Sequence, residues 1–247
     1  MFSFFKKKTF SASSSWDIKP LTVDIHSHLI PSIDDGSQSM EESILLIKAL
    51  IKQGYSKIIT TPHIMFDSYG NTKNSILQGV NDLRREISTQ ELDIVIEAGA
   101  EYYLDEGFLP LIKRNELLLI SNKYLLFETS YTHKPLQLED IIFEILAAGY
   151  IPLLAHPERY RYIKNPKEEY TTLKKLGVEF QVNLNSFNGY YGSQAKKNAL
   201  FLSKHGMIDF LGSDVHNIKQ VENLSHIFNS YEYKEIFRDN SIKNELL

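Results

Sequence analysis

The sequence contains no cysteine, a single tryptophan and only four methionines among 247 residues. Without a thiol, disulfide frameworks, thiolate zinc sites, iron–sulfur clusters and cysteine nucleophiles are excluded together, so any bound metal must rest on nitrogen and oxygen donors. Long apolar runs are missing as well. No stretch could span a bilayer or form the core of an export signal. Nor does one sign of charge dominate: 27 basic against 31 acidic residues leave a net charge of −4, too balanced to attract a nucleic-acid backbone. Nucleic acid is therefore not an expected partner. What is present is ordinary globular material, 43% hydrophobic and 23% charged. Its length suits one or two domains, or one α/β barrel of roughly 200 to 250 residues.

The first fifteen residues, MFSFFKKKTFSASSS, place Phe2, Phe4 and Phe5 ahead of Lys6, Lys7 and Lys8, the reverse of a secretory signal's order. We read residues 1–20 as a flexible leader, with residues 21–247 forming a single domain. The same order would permit weak contact with an anionic membrane surface. With no export signal and no spanning segment, the expected location is the cytoplasm.

From Leu21 onward, short β-rich runs alternate with amphipathic stretches. The runs are LTVDI from Leu21, KIITT from Lys57, DIVIEAG from Asp93, YLLFET from Tyr124, YIPLLA from Tyr150, VEFQVNL from Val178 and IDFLGS from Ile208. Several are almost continuously apolar, as strands buried on both faces require. Between them lie helical patterns, clearest in MEESILLIKALIKQGY, where Ile44, Ile47, Leu50 and Ile51 share a face, Ser39 can cap the start and Gly54 ends it. Gly149, Gly177 and Gly206 end three further helical stretches in the same way. Repeated strand–helix units predict parallel strands with crossover helices, hence an α/β barrel of seven units or a doubly wound open sheet.

The metal-capable side chains fall at the ends of these runs. His26 and His28 follow the first as DIHSH, with Asp34, Asp35 and Gly36 in the next loop. His63 ends the second in TTPH, Glu101 follows the third in EAGAE, Glu128 ends the fourth in LLFETS and His156 follows the fifth in LLAHPERY. Asp214 and His216 follow the seventh in GSDVH. Six of seven strands thus send a histidine or carboxylate to the end where barrel enzymes build their sites. Any one of these groups is more often an ordinary loop residue than a ligand. Nine together, with no lysine among them, would repel strongly unless cations lay between them. Five imidazoles and four carboxylates without sulfur suit manganese, iron or zinc, and nine ligands are enough for two or three ions. Clustered ions about 3.5 to 4 Å apart serve hydrolysis at phosphorus. Arg159, in HPER, offers a fork for phosphate oxygens, although an ion pair with Glu158 is the simpler role. Tyr160, Tyr162, Phe66 and Tyr69 could flank an aromatic ester or pack as loop residues. His133 could line the same pocket, whereas His205 and His226 read as structural.

In this order, DIHSH, TTPH, the Glu of EAGAE, AHPERY and GSDVH resemble the polymerase-and-histidinol-phosphatase (PHP) superfamily. Within it, the DDG segment, AEYY, LLFETS and especially HPERY are similar to the bacterial manganese-dependent protein-tyrosine phosphatases of capsule and exopolysaccharide loci. The resemblance spans residues 21 to 240 and implies a distorted (β/α)7 barrel with a trinuclear centre. One metal would take His26, His28, Glu101 and Asp214, with Glu101 bridging to a second that also takes Glu128 and His156. The third would take Asp35, His63 and His216. Manganese is the metal implied, with iron, zinc or magnesium as alternatives. Arg159 would grip the phosphoryl group of a tyrosine-phosphorylated protein, namely the tail of a bacterial tyrosine kinase that controls polysaccharide synthesis or export. Related enzymes often carry a further arginine after the final D-x-H, where this chain reads DVHNIKQVEN. Lys219 offers only a point charge there. The competing functions are a small-molecule phosphatase such as histidinol-phosphate phosphatase, a PHP-type nuclease, and a non-catalytic scaffold that binds the kinase.

Overall fold

The computed structural model describes residues 21–247. The leader expected over residues 1–20, with its FFKKK segment, lies outside the described residues. The seven β-rich runs form nine strand segments: β1 (Val23–Asp24), β2 (Lys57–Thr60), β3 (His63–Ile64), β4 (Val95–Ala98), β5 (Glu101–Tyr103), β6 (Tyr124–Glu128), β7 (Ile151–Ala155), β8 (Glu179–Asn183) and β9 (Phe210–Gly212). All named pairings are parallel, in the orders β1-β2-β4 and β3-β5-β6-β7-β8-β9.

Two extra segments arise because the second and third runs each break once. Pro62 interrupts the second, where the missing N–H and the restricted residue before it end ladder pairing. The third steps at Gly99, which passes so close to Ile120 that a Cβ there would lie 2.7 Å from its Cγ1. Counted as paths, the strands are still seven. The ring closes at its carboxyl end, where Ser27 bridges Val215, His28 N donates to Val215 O (3.0 Å), and Thr61 N donates to Ser27 O (2.7 Å). The architecture is a distorted α/β barrel of the PHP type, as expected.

The principal helices are α1 (Met40–Lys52), α2 (Lys73–Thr89), α3 (Phe108–Arg114), α4 (Leu138–Ala147), α5 (Pro166–Lys175), α6 (Leu184–Phe187), α7 (Ser193–Lys204), α8 (Ile218–Phe228) and α9 (Tyr231–Asp239). Ser39 caps α1 by accepting from Glu42 N, and Ile44, Ile47 and Leu50 of the predicted face are buried. Gly54, Gly149, Gly177 and Gly206 all adopt positive φ at the helix-to-strand joins, a conformation that costs glycine little. The larger hydrophobic cluster lies between sheet and helices. A smaller one, including Ile25, Leu126, Leu153 and Phe210, fills the barrel beneath the rim.

Candidate metal centre

Strand alternation explains why the polar groups gather. Along β6 the inward side passes from Tyr124 through Leu126 to Glu128, and along β9 from Phe210 through Gly212 toward Asp214, so each path turns from apolar to anionic at its last inward position. His156 and Asp214 lie just beyond β7 and β9 with φ of 34° and 49°. Such backbone costs about 1–3 kcal/mol per residue and persists where surrounding bonds hold it. Asp35 arrives from the loop before α1.

The structure brings all nine expected residues into one connected cluster. His26 Nε2 lies 3.2 Å from Glu101 Oε2 and 3.5 Å from Asp214 Oδ1, and His28 Nε2 lies 3.5 Å from both of those oxygens. His156 Nε2 is 3.0 Å from Glu101 Oε1 and 3.8 Å from Glu128 Oε2. His63 Nδ1 is 3.2 Å from both Glu101 Oε2 and Glu128 Oε1, while Asp35 Oδ1 is 3.5 Å from His63 Nε2 and 3.3 Å from His216 Nε2. Donor atoms fall into overlapping groups close enough to share an ion: His28, Asp35, His63 and His216; His26, His28 and Asp214; His26, Glu101 and His156; His63, Glu101 and Glu128. The open side lies at Asp35 and His216, whose side chains are 54% and 17% exposed, whereas the His26, His28 and Glu101 side chains are wholly buried.

The electrostatics call for positive charge at this point. Burial would lower His26, but Glu101 and Asp214 push it up to about 9. Burial likewise opposes the shift at His28, and Asp34 drives it well above the ordinary histidine range. Glu101 and Asp214 are raised by burial yet held well below the usual carboxylate range, in both cases with His26 as the leading opposing charge. His63 Nδ1 is buried and makes no hydrogen bond despite its two near carboxylates, and His156 Nδ1 is buried without a partner. At His63 Nδ1 a ring nitrogen and two carboxylates converge without hydrogen-bonding geometry, which fits metal ligation.

Hydrogen bonds behind the ligands fix their protonation pattern. Asp214 Oδ2 can only accept, so Asn183 must present its amide N–H₂ to it (2.6 Å). Asn183 Oδ1 then accepts from Gln181 Nε2 (2.9 Å), and Gln181 Oε1 faces His26 Nδ1 at 2.7 Å. That nitrogen carries a proton, so in the neutral imidazole that metal binding requires, the Nε2 lone pair faces Glu101 and Asp214. Asp34 does the same for His28 by accepting from Nδ1 (2.8 Å), and it also accepts from Gly36 N (3.0 Å) and His63 N (3.1 Å). Two glycines make room for these contacts. A Cβ at Gly212 would lie 2.8 Å from His26 Cβ, and one at Gly36 would lie 2.3 Å from His28 O.

Arg159 reaches this centre. Its Nη1 donates to Asp214 Oδ2 at 2.8 Å, and it stands over the rings of Tyr131 and Tyr191. It does not pair with Glu158, which turns inward to accept from Asn183 N and Ser186 Oγ. Tyr69 stacks on His63 at 5.6 Å between centroids, and Phe66 is 61% exposed in the same loop. Tyr160 differs from its expected place in an open pocket. It is buried, with its hydroxyl donating to Ala155 O and accepting from Thr129 N, so it supports the turn rather than facing solvent. His133 is exposed and bonded to Thr132 Oγ1, His205 stacks on Phe201 beyond the end of α7, His226 is exposed on α8, and Lys219 is exposed in its first turn. A groove of about 550 Å³ is walled by residues that include Ile64 and Tyr102, the sequence neighbours of His63 and Glu101, with Phe66, Tyr103 and Phe108, and none of the nine candidate ligands lines it.

Gln181, Asn183, Tyr131, Tyr191 and Asp34 also serve the site, and the sequence pattern alone does not assign them to it. Polar residues alternating as Q-V-N inside an otherwise apolar strand were the available signal for the first two. Nothing local marked the tyrosines, which come from loops distant in sequence.

A barrel with five imidazoles and four carboxylates gathered on its carboxyl rim defines the class as an α/β barrel protein whose rim is compatible with metal binding. The chain belongs to the family described as capsular polysaccharide synthesis, CpsB/CapC, which matches residues 22–241. It is 34% identical to the tyrosine-protein phosphatase YwqE of Bacillus subtilis over 199 residues, covering 80% of this chain and 78% of that protein. It is 27% identical to the tyrosine-protein phosphatase CpsB of Streptococcus pneumoniae over 235 residues, covering 90% and 97%. Among solved structures it is similar to one of the metal-dependent tyrosine phosphatases YwqE and CpsB, with a TM-score of 0.77 and 27% identity over 89% of this chain and 96% of that chain. A likeness in fold extends to the histidinol phosphate phosphatase of Lactococcus lactis, with a TM-score of 0.51 at 16% identity over 87% and 94%. Among the described residues no helix is long and apolar enough to cross a membrane.

Proposed function

We propose that this protein is a metal-dependent protein-tyrosine phosphatase that acts on a tyrosine-phosphorylated protein, the tail of a bacterial tyrosine kinase governing polysaccharide synthesis or export. The observation that carries the reading is the contact of Arg159 with Asp214 at the edge of a centre built from nine metal-capable side chains. His26, His28, Glu101 and Asp214 would hold one manganese ion, Glu101, Glu128 and His156 a second, and Asp35, His63 and His216 a third. Bound ions would lower the pKa of water and draw charge from the phosphoryl oxygens.

The chain's own groups do the rest. Arg159 offers in-plane N–H donors to the phosphoryl oxygens, matching their geometry and charge. Burial of Glu101, His26 and His28 excludes bulk water on the inner side, leaving approach from the side of Asp35 and His216. With no cysteine in the chain, a phosphocysteine intermediate is closed; the reaction we assign is attack by water in line with the leaving oxygen, without a phosphoenzyme. A tyrosyl leaving group has a parent pKa of about 10 and demands no strong general acid.

The test is turnover of a phosphotyrosyl peptide against histidinol phosphate by the manganese-loaded protein. We expect preference for the peptide, and Arg159→Ala should reduce that turnover by at least about 100-fold while metal content persists. A strong preference for histidinol phosphate overturns the protein-phosphatase reading. No activity with any divalent metal favours the scaffold.

A further inference from the structure

Arg159 is flanked by aromatic rings that come from two segments other than its own. Its guanidinium carbon lies 4.7 Å from the centroid of Tyr131 and 4.2 Å from that of Tyr191. Tyr131 follows β6, and Tyr191 sits between α6 and α7. A cation over an aromatic ring is held by the ring's quadrupole and gives up none of its N–H donors, so the edge of the fork remains free for acceptors. One such donor already meets Asp214 Oδ2 at 2.8 Å.

Both residues are held, Tyr131 through its backbone and Tyr191 through its hydroxyl. Arg161 N donates to Tyr131 O (2.7 Å), which ties the Tyr131 loop to the arginine's own turn. The Tyr191 hydroxyl accepts from Gln220 Nε2 at 3.3 Å, and Gln220 Oε1 accepts from the backbone N–H of His216 (2.6 Å) and Asn217 (3.1 Å). Contacts therefore run from the guanidinium to the loop of Asp214 and His216 by two routes. One is direct, through Asp214, and the other passes through Tyr191 and Gln220. An unsupported arginine would lose rotamer freedom each time it gripped an anion.

We propose that Tyr191, together with Tyr131, is a positioning residue for Arg159. The rings hold the guanidinium in place before a phosphoryl group arrives, and Gln220 keeps that grip at a fixed spacing from the His216 loop. The proposal rests on the phosphoryl-binding role given to Arg159 above.

Titration calorimetry of the manganese-loaded, full-length protein with inorganic phosphate, alongside steady-state kinetics, tests it. Tyr191→Leu weakens phosphate binding about tenfold and raises KM for the phosphotyrosyl peptide in step, with metal content unchanged. Tyr191→Phe keeps the ring and loses only the Gln220 contact, so its effect is about threefold or less. In an Arg159→Ala background, Tyr191→Leu has no further effect, an outcome that a merely structural role would not give. Tyr131→Leu serves as a second variant and behaves as Tyr191→Leu does, including where the latter fails to fold. Unchanged phosphate affinity in a folded Leu variant, or a full additive loss in the Arg159→Ala background, overturns the clamp. If Arg159→Ala itself leaves phosphate affinity unchanged, the phosphoryl role of Arg159 falls as well, which separates the two failures.

Discussion

Asp214 serves two sides with one carboxylate. Its Oδ1 faces the Nε2 atoms of His26 and His28, while Oδ2 takes donors from Asn183 and Arg159. Because that carboxylate can only accept, it orients Asn183, Gln181 and finally the proton on His26. Gln181→Leu removes the middle of this relay and leaves His26 Nδ1 and Asn183 Oδ1 buried without partners. We expect manganese affinity to fall roughly 10- to 100-fold, measured by titration calorimetry. The nine candidate ligands were legible in the sequence because histidines and acids at strand ends stand out against apolar runs. Gln181 and Asn183 were not, since uncharged amides in a buried strand carry no signal of charge or repulsion. The burial of Tyr160 was equally hidden, because HPERY places it beside Arg159 without showing that its ring turns inward.

Elements reveal a different balance. The helix–glycine–strand joins and the buried strands β6, β7 and β8 follow from periodicity and turn chemistry, and the structure contains them. The breaks in the second and third paths were less visible. Pro62 can be read, but the step at Gly99 depends on Ile120, which is distant in sequence. Helix α8 was legible only as a polar helical stretch around His226, and α3, α6 and α9, of seven, four and nine residues, are short runs that the pattern does not single out. The carboxyl-terminal segment was also unmarked, yet it seals the barrel floor. Asn244 Nδ2 donates to Val23 O (2.9 Å) and Leu211 O (2.7 Å), while its Oδ1 accepts from Leu211 N (3.0 Å). Asn244→Ala leaves three buried backbone groups unpaired and should lower unfolding free energy by about 2–4 kcal/mol in urea titrations. A loss under about 0.5 kcal/mol would show that the floor does not depend on it.

Over the whole molecule, the metal-free protein holds five carboxylates, Asp34, Asp35, Glu101, Glu128 and Asp214, around one rim with Arg159 as their nearby guanidinium. Burial lowers His26, but Glu101 and Asp214 raise it from 6.5 to about 9. Its folded value exceeds its unfolded one, so its contribution to stability is complete below pH 6.5 and disappears as pH rises through about 9. Chelator-treated protein should therefore weaken across that window. Metal binding requires neutral imidazole, so stabilisation by manganese should grow across the same window. Thermal unfolding with and without the metal checks this, and a gap that narrows with rising pH would contradict it.

The most direct measurement is the metal content per chain of the protein and of Glu101→Ala, taken together with hydrolysis of a phosphotyrosyl peptide. Glu101 faces His26, His28, His63 and His156 at once. The wild-type chain should carry two or three ions, and the variant should lose at least one of them along with its hydrolysis. Full metal content in Glu101→Ala, or hydrolysis by wild-type protein stripped of metal, would contradict the assignment of this rim as a metal-dependent phosphatase centre.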